Sequence, residues 1–482
     1  MWFLALVSCA APGPLAARAA WIQEQLTADN AYWLTRSHAR VEDKYATMAA
    51  DPYDWMRGSN ALFLADQLRP DPARPRTRFL TVPDAASILT IGDPHLENLG
   101  TSLPGDEPDP HEATSLAATA PLPLEWVDLD AAAFGPWTFD TRRAALSLAL
   151  VADGADGCAA CAEDVVSAFA YGYAGEIEAL DAGEAGWPAD GEDIGGGAIV
   201  ASLRETARAD GLATAELDSF SVVEADAAGI GRRRLALDTA VDGQGDGVLP
   251  FGPSDAARLE RVLAGWTVGR PADLRVLDAA RQYGKGVASL PATRFVVLWD
   301  RGGSDLDDDR LLNVREVVDP PSIDGIYPGL GSVYASNAER IAAVTATFRT
   351  RPDADVRAGA VADGAAAFKT TSLSGWFTTF DHGDIARAVV LKLATPEDLA
   401  AFGETMGRAL ASAHARGTTL DGGSSLEVVA ADLAAGGGPD AFAAERVRDA
   451  TSDLATLRVD LPLFQSLLDQ YGPLLGAEIL AP

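Results

Sequence analysis

The chain has 482 residues, of which 70 are acidic and 38 are basic, and its formal net charge at pH 7 is -32. Such a charge repels phosphate backbones, which argues against nucleic acid as a partner. Hydrophobic residues make up 48% of the chain, enough to bury a sizeable core, and this excludes a chain that is disordered throughout. The sequence contains no apolar run of about 18 residues, so it predicts no transmembrane segment.

The N-terminus begins with a short apolar run, residues 1–7, which is followed by Cys9. An apolar run that ends at a small residue and a cysteine resembles a bacterial lipoprotein signal, although no basic residue precedes it. We therefore expect residues 1–20 to be either such a signal or a frayed terminus, and the protein to be either lipid-anchored or cytoplasmic. Cys158 and Cys161 are expected to form a small disulfide in an exported chain, or to be two buried thiols in the cytosol.

The first part of the chain predicts helices with a few short strands between them. Apolar residues recur at spacings typical of helices over residues 20–68. A loop begins at Gly92 and Pro94, and residues 104–112 are expected to be an acidic surface loop. Short strands are predicted at 78–82, 87–91 and 124–130, a turn at 134–137, and amphipathic helices at 140–150 and 162–180.

The second part of the chain predicts a β-rich region followed by further helices. Glycine and acidic residues at 184–197 are typical of a linker or a flexible loop. No repeat period is visible, which disfavours solenoids and propellers. Strands are predicted at 220–223, 234–237, 294–300 and 311–318, an acidic hairpin tip at 305–309, and helices at 339–349 and 396–416.

Oxygen-bearing side chains follow two of the predicted strands. Asp93 and Asn98 lie on the loop after the strand at 87–91, and Asp128 lies on the strand at 124–130. Carboxylate and amide oxygens are ligands that Mg²⁺ prefers, and a carboxylate can also take the proton of an attacking hydroxyl in phosphoryl transfer. Any one of these aspartates alone is more typical of a turn. Their combination favours a magnesium site suited to phosphoryl transfer.

The pattern Gly92-Asp93-x-His95-x-x-Asn98, followed by Asp128 and Asp140, resembles the catalytic core of aminoglycoside-phosphotransferase-like and protein-kinase-like enzymes. The resemblance implies that Asp93 is the catalytic base and that Asn98 and Asp128 are ligands of Mg²⁺. It also implies that Asp140, at the start of the next helix, is a buried residue that braces the catalytic loop. Asp130 shares a strand face with Asp128 and competes with it for the ligand role.

The chain is also similar to a bacterial family known only as a domain of unknown function, which shares this core. The similarity extends over residues 45–416. The sequences that carry it are Met56-Arg57-Gly58, the segment from Gly92 to Gly100, the segment from Gly135 to Asp140 with Arg143, and Ala413-His414-Ala415-Arg416.

Enzymes of the kinase-like kind also have a nucleotide-binding lobe, normally before the catalytic loop, whereas the segment before Asp93 is short and largely helical. Features that resemble this lobe lie downstream instead. A loop with Gly284, Gly286 and Ser289 would cover the phosphates of ATP, and Arg315 lies on the returning strand where the phosphate-pairing lysine is expected. The helix at 407–416 resembles the one that normally leads into the catalytic loop.

We therefore predict an α+β fold that is a circularly permuted, two-lobed, protein-kinase-like fold. Its new termini would lie between the helix at 407–416 and the Asp93 loop. The predicted units are a helical cap and catalytic lobe at 21–215, a β-rich region like a nucleotide lobe at 216–395, and C-terminal helices that complete the catalytic lobe at 396–482.

Several residues depart from the kinase-like pattern. Arg315 replaces lysine, and the two cations are not interchangeable because guanidinium is planar and forked. Ala288 and Pro291 replace glycines of the phosphate loop, and Pro291 cannot donate a backbone hydrogen bond to a phosphate. Ala343 lies where the following helix carries a glutamate. Lys369 is either a replacement cation or a solvated surface lysine, and the second interpretation is favoured.

Two functions remain open from the sequence. The first is transfer of the γ-phosphoryl group of ATP, with Mg²⁺, to the hydroxyl of an unknown small molecule or protein. The second is a catalytically weak or inactive kinase-like pseudoenzyme that binds a nucleotide or a partner. A metal-dependent phosphohydrolase is a third class, but it would normally use more histidines than the five present.

Other conspicuous residues have simpler interpretations. His414 is expected to pack within its helix, and Trp126 and Trp137 are expected in the core. Arg57 is expected either to pair with a carboxylate of the catalytic loop or to form a surface ion pair. His38, His111 and His382 lie in polar stretches and indicate no function.

Overall fold

The protein has a mixed α+β fold, which confirms the predicted class. Cys161 is disulfide-bonded. Residues 1–12, with Cys9, lie outside the described part of the chain, as do Cys158, residues 188–193 of the predicted linker and the whole of 104–112. The computed structural model describes residues 13–69, 77–101, 122–155, 161–187, 194–212, 215–225, 229–238, 247–266, 274–300, 305–317, 319–320, 333–349, 360–364 and 366–477.

The described chain begins with five helices, which confirms the helical prediction over 20–68. Pro14 and Pro52 each begin a helix, where the missing N–H of proline is not needed. The carboxylate of Asp51 caps the fourth helix by accepting the N–H of Tyr53 at 2.7 Å. The helices are α1 (Pro14–Asp29), α2 (Ala31–Leu34), α3 (His38–Ala50), α4 (Pro52–Gly58) and α5 (Asn60–Leu68).

Two small antiparallel sheets carry the loops of the predicted catalytic core. β1 (Ile88–Thr90) pairs with β4 (Ala133–Gly135), and β2 (Leu99–Thr101) pairs with β3 (Leu124–Trp126). β1 and β3 confirm the strand at 87–91 and the first half of the strand at 124–130. The predicted turn at 134–137 is wrong, because β4 pairs with β1 there and a helix begins at Trp137.

Residues 78–82 do not form the predicted strand. The backbone N–H groups of Leu80 and Thr81 donate to the carboxylate of Asp432 at 2.7 and 2.9 Å, and not to a neighbouring strand. Leu80 also has a φ of 66°, which a strand does not allow. The apolar residues of the segment still serve the core, because Phe79 is buried between helices.

The main hydrophobic core is formed largely by helices. α6 (Trp137–Gly154) and α7 (Cys161–Asp181) confirm the helices predicted at 140–150 and 162–180. Trp137 and Trp126 are both buried, as expected. The chain continues through α8 (Gly197–Leu212) and α9 (Ala215–Phe220) into the hairpin of β5 (Ser221–Ala225) and β6 (Gly231–Leu235).

A six-stranded antiparallel sheet follows, formed by β7 (Gly247–Leu249), β8 (Arg275–Tyr283), β9 (Arg294–Asp300), β10 (Arg310–Val317), β11 (Ala360–Asp363) and β12 (Ala366–Leu373). The strand order is β11-β12-β10-β9-β8-β7. Both faces of its centre are buried, because Phe295 and Val297 of β9 pack in one cluster and Val296 and Leu298 in another. β9 and β10 confirm the strands at 294–300 and 311–318. Two helices lie between these strands in sequence, α10 (Asp255–Gly265) and α11 (Asn337–Phe348).

The C-terminal part is helical and comprises α12 (His382–Val390), α13 (Pro396–Arg416), α14 (Ser425–Gly436) and α15 (Gly438–Tyr471). α13 begins and ends at the predicted residues and crosses α7 closely, since a Cβ on Gly407 would lie 2.1 Å from the backbone oxygen of Phe169. After α13 the chain returns beside β1, where the N–H of Leu89 donates to the carbonyl of Thr418 at 2.8 Å. None of the described helices has the length and hydropathy needed to cross a membrane.

Candidate active site

The loop that follows β1 is held by a buried carboxylate. Asp140, in the first turn of α6, accepts the backbone N–H of Ile91 at 2.7 Å and that of Gly92 at 3.0 Å. Nε2 of His414 lies 3.0 Å from the same carboxylate, and its Nδ1 lies 2.8 Å from the hydroxyl of Tyr173. His414 therefore packs within the helical core, as expected, and connects α13 to the loop.

Gly92 brings this loop against the segment that follows β3. Its φ is +83°, and an added Cβ would lie 2.0 Å from the backbone oxygen of Ala131. Only glycine allows both this backbone conformation and this close approach. The two segments that carry the predicted catalytic and metal-binding carboxylates are therefore in direct contact.

Asp93 is oriented by a buried arginine. Nε of Arg143 donates to its Oδ1 at 2.8 Å, while a terminal nitrogen of Arg143 donates to the carbonyl of Met56 at 2.7 Å. The amide of Asn98 donates to the backbone oxygen of Asp93 at 2.9 Å, which folds the loop back on itself. Nε2 of His95 lies 3.7 Å from Oδ2 of Asp93. Burial lowers the pKa of His95 to about 4, more than nearby Asp93 raises it, so this histidine is neutral at pH 7.

Asp128 and Asp130 form a compact charge cluster with two cations of the large sheet. A terminal nitrogen of Arg315 lies 2.9 Å from Oδ1 of Asp128 and also contacts Asp130. Nζ of Lys369 lies 3.3 Å from Asp128 and 2.5 Å from Asp130. Arg315 and Lys369 are directly opposite each other on β10 and β12, which explains why they reach the same carboxylates.

The two cations of the cluster favour the ionised form of Asp128. Burial alone would raise its pKa, but the charges of Arg315 and Lys369 outweigh burial and hold the pKa well below its usual range. Burial likewise opposes the charge of Arg315, and the two aspartates overcome it and raise its pKa. The side chain of Asp128 remains 33% exposed and that of Asp130 24% exposed, so both are accessible to a ligand.

The sequence-based interpretation of Lys369 as a solvated surface lysine is wrong. Its side chain is only 13% exposed, and its ammonium lies in the charge cluster. The sequence signal that could have located it is the scarcity of lysine, since the chain has only four.

The predicted phosphate loop connects β8 and β9 at residues 284–293. Gly284 and Gly286 have φ of +83° and +73°, so both use conformations that favour glycine. The hydroxyl of Ser289 accepts a hydrogen bond from Arg294 at 2.8 Å. The loop is tied to β10, because the N–H of Thr293 donates to the carboxylate of Glu316 at 3.1 Å.

A cavity of about 520 Å³ borders part of this region, and Asn98, Asp128, Arg315 and Lys369 are not among its described lining residues. Asp93 and Asp130 line it together with Ser289 of the phosphate loop and Glu316 of β10; Gly284 and Gly286 are not among the described lining residues. The remaining border includes residues of α1–α5, which we call the helical wall: Ala28, Asp29, Tyr32, Trp33, Lys44, Gly58, Asn60 and Ala61.

A second group of charged residues holds the loop from Gly92 to Gly100 through Glu97. Arg57 of α4 lies 2.8 Å from one oxygen of Glu97, which confirms its expected pairing with this loop. Nδ1 of His382 lies 2.6 Å from the other oxygen, and its ring stacks on Tyr53 with centroids 4.2 Å apart. His382 is therefore a contact of the loop that its polar sequence context did not indicate.

The structure thus brings Asp93, Asn98, Asp128, Ser289 and Arg315 into one region from distant parts of the chain. A family described as an uncharacterized protein conserved in bacteria, DUF2252, matches residues 36–457. The chain belongs to this family, which confirms the predicted resemblance to a bacterial domain of unknown function. Comparison with curated proteins and with solved structures found no match, so the kinase-like part of the resemblance stays a prediction.

Proposed function

We propose that this protein is a kinase-like phosphotransferase that moves the γ-phosphoryl group of a nucleotide to a hydroxyl acceptor. One observation carries the proposal: Asp93, Asp130 and Ser289 line a single cavity, beside which Arg315 contacts Asp128. A carboxylate for the acceptor proton, oxygen ligands for a metal and cations for phosphate oxygens are the parts that phosphoryl transfer requires.

The connectivity of the large sheet supports a circularly permuted kinase-like fold. β8, a glycine-containing loop, β9, the cation-bearing β10 and α11 follow each other as the elements of a nucleotide-binding lobe do. α13 is followed by a segment that pairs beside β1, and β1 leads into the Asp93 loop. This arrangement agrees with a helix that precedes the catalytic loop in space while it follows the loop in sequence.

In this proposal Asp93 accepts the proton of the acceptor hydroxyl. Arg143 engages Oδ1 and leaves Oδ2 as the oxygen that can face the hydroxyl. The brace from Asp140 and the hydrogen bond from Asn98 keep the backbone around Asp93 fixed. Preorganisation of this kind lowers the barrier because no ordering is needed when the acceptor binds.

Arg315 and Lys369 supply positive charge for the phosphate oxygens. Asp130 contacts both of them, so it anchors the two cations as the glutamate of the helix after the cation-bearing strand does in kinases. This explains how the site retains an anchor although Ala343 lies at the expected glutamate position.

The donor set of the site fits magnesium, because Asp128 and Asn98 offer hard oxygen ligands and Asp128 is partly exposed. These residues would hold the ion, which when bound neutralises charge on the phosphate oxygens. Since Arg315 and Lys369 engage Asp128, we expect a nucleotide to draw the two cations toward its phosphates before Asp128 is free as a ligand.

The same charge cluster favours a second candidate, a pseudoenzyme that binds a nucleotide without turnover. Arg315 is bulkier than lysine, and Asp128 is neutralised by two internal cations. Pro291 also removes one possible phosphate donor from the loop. If the cluster does not open, nucleotide binding would not lead to transfer.

A thermal-shift titration with Mg²⁺ and ATP, combined with a measurement of ADP formation, tests the proposal. At an ATP concentration of about 100 times Kd, binding stabilises the folded protein by about 2.7 kcal/mol. The unfolding entropy of 482 residues is about 1 kcal/mol per K, so the midpoint should rise by about 3 °C.

In Asp128→Asn, the thermal midpoint with ATP should no longer depend on whether Mg²⁺ is present. Asp384→Asn is a charge-matched control, because Asp384 is 67% exposed on α12. A shift with ADP formation supports the transferase, and a shift without it selects the pseudoenzyme. No shift in the wild-type protein would exclude both.

A further inference from the structure

In the proposed function, the nucleotide is held by groups outside the helical wall, so this wall is available to a second ligand. In the proposed function, the phosphate loop and the cations of the sheet hold the nucleotide, and Asp93 meets the acceptor. The acceptor must therefore contact α1–α5, whose residues complete the cavity border near Asp93.

Asn60 of the helical wall lines the cavity and carries a buried side-chain oxygen. The residue is only 8% exposed, and its Nδ2 donates to the carbonyl of Gly92 at 3.0 Å, which fixes the orientation of the amide. Oδ1 has no hydrogen-bond partner among the described residues. A buried amide oxygen is costly to leave unpaired, so this atom is suited to accept a hydrogen bond from a ligand.

The charges of the helical wall are balanced within it. Nζ of Lys44 lies 2.8 Å from Oδ1 of Asn30 and 3.4 Å from Oδ2 of Asp29. An ammonium has three N–H donors, so Lys44 can offer one more hydrogen bond without becoming an uncompensated charge. Asp29 and Lys44 are the charged residues that the described wall contributes, and they form a pair. Four other carboxylates line the cavity, and three of them pair with cations while the fourth accepts an amide N–H: Asp93 with Arg143, Asp130 with Arg315 and Lys369, Glu316 with Arg36, and Asp319 with Asn337.

The size of the cavity indicates what can bind. A volume of about 520 Å³ lies within the range of small-molecule sites, which is about 300–1,000 Å³. Asp93 lines this cavity, and its side chain is only 13% exposed, which favours a small acceptor over a protein segment.

We propose that the helical wall is the acceptor subsite and that its ligand is a small, uncharged molecule with several hydroxyl groups. This inference rests on the proposed function. One hydroxyl of the ligand donates to Oδ1 of Asn60, and Lys44 donates to another. A third hydroxyl loses its proton to Asp93, its oxygen bonds to the γ-phosphorus, and the bond from that phosphorus to the bridging oxygen breaks, which releases the nucleoside diphosphate. Asn60 is thus a residue that determines specificity and does not itself react.

Binding of sugars that differ only in charge tests this subsite. The probes are glucose, glucosamine and glucuronate, which are neutral, cationic and anionic, with myo-inositol as a second neutral polyol. Saturation-transfer NMR on the full chain, with Mg²⁺ and a non-hydrolysable ATP analogue, measures each dissociation constant. Concentrations up to about 50 mM fill even a site with a Kd of about 1 mM.

We expect a neutral polyol to bind more tightly than either charged sugar. Asn60→Leu should weaken this binding by roughly 5- to 10-fold, the effect of one hydrogen bond, and should leave the ATP-dependent thermal shift unchanged. Gln67→Leu is the matched control, because Gln67 is an amide on the same helix that is absent from the described border of this cavity. Asn60→Asp keeps an acceptor oxygen and loses only the N–H that donates to Gly92, so it should retain more polyol binding than Asn60→Leu. Asn60→Ala, which removes the oxygen in a smaller side chain, replaces Asn60→Leu if the latter does not fold.

Three outcomes overturn the subsite: preference for a charged sugar, equal binding by wild type and Asn60→Leu, or no binding of either neutral polyol. Phosphoryl transfer is followed separately as ADP formation. Polyol binding that depends on Asn60 without ADP formation would leave the subsite standing and refute the transferase. ADP formation with a protein acceptor would leave the transferase standing and refute the subsite.

Discussion

Replacement of Asp140 by asparagine tests whether a buried carboxylate holds the loop that carries Asp93. The carboxylate accepts the N–H groups of Ile91 and Gly92 at 2.7 and 3.0 Å, and it contacts Nε2 of His414. Asparagine keeps one oxygen and presents an NH₂ group in place of the other. One of the two backbone N–H groups therefore loses its acceptor and faces a donor.

The size of the effect follows from these contacts. A hydrogen bond to a charged group contributes about 1.5–3 kcal/mol, and a buried donor without an acceptor costs about 1–3 kcal/mol. We expect a loss of about 3 kcal/mol that is concentrated in the loop. Because the unfolding entropy of this long chain is about 1 kcal/mol per K, the thermal midpoint should fall by only about 3 °C.

Hydrogen exchange measures the loop directly. Since about 1.4 kcal/mol corresponds to a factor of ten, the amides of Ile91 and Gly92 should exchange about 100-fold faster in Asp140→Asn. Amides of β9 should be unchanged. Ser147→Ala is the control on α6, because buried Ser147 donates only to the carbonyl of Ala144 in its own helix. Equal exchange at residues 88–95 in wild type and Asp140→Asn would refute the brace.

Three further predictions concern the same loop. Gly92→Ala should lower the free energy of unfolding by about 3 kcal/mol, because its φ is +83° and its Cβ would lie 2.0 Å from a backbone oxygen; denaturation measures this. Burial holds the pKa of His95 at about 4, below its unfolded value of 6.5. The free energy of unfolding should therefore fall by up to about 3 kcal/mol as the pH is lowered from 6.5 to 4. His95→Gln should lose that dependence. For His382, burial lowers the pKa, but Glu97 outweighs burial and raises it, so the pair stabilises the protein fully below about pH 6.5 and less as pH rises through the raised pKa. The difference in thermal midpoint between wild type and His382→Gln should therefore be larger near pH 6 than near pH 9.

Local patterns predicted most of the elements around the site. β9 and α13 match the predicted residues because an apolar run between turn signals and an amphipathic helical period are both visible in sequence. The strand predicted at 78–82 failed for a non-local reason. Its backbone N–H groups pair with Asp432, which lies about 350 residues further along the chain.

The motif residues of the site were predictable because they cluster within two short segments. Lys369 and Asn60 were not, since their importance depends on which strand pairs with β10 and which helix borders the cavity. His382 was missed for the same reason, as its partner Glu97 is 285 residues away. Sequence patterns indicate which face of an element is buried, but not which distant element lies against it.

The charge cluster determines how the site can work. Asp128 and Asp130 together carry two negative charges, and Arg315 and Lys369 carry two positive charges, so the cluster is neutral in the described structure. In the proposed function, a nucleoside triphosphate would attract both cations, and each contact that they transfer to its phosphates would uncover a carboxylate oxygen. Uncovered carboxylates are costly unless a cation replaces the lost partners. In the proposed function, phosphate binding and metal binding would therefore be coupled, and we expect each to be weak without the other. A pseudoenzyme would keep the internal pairs intact and bind a nucleotide with little dependence on magnesium.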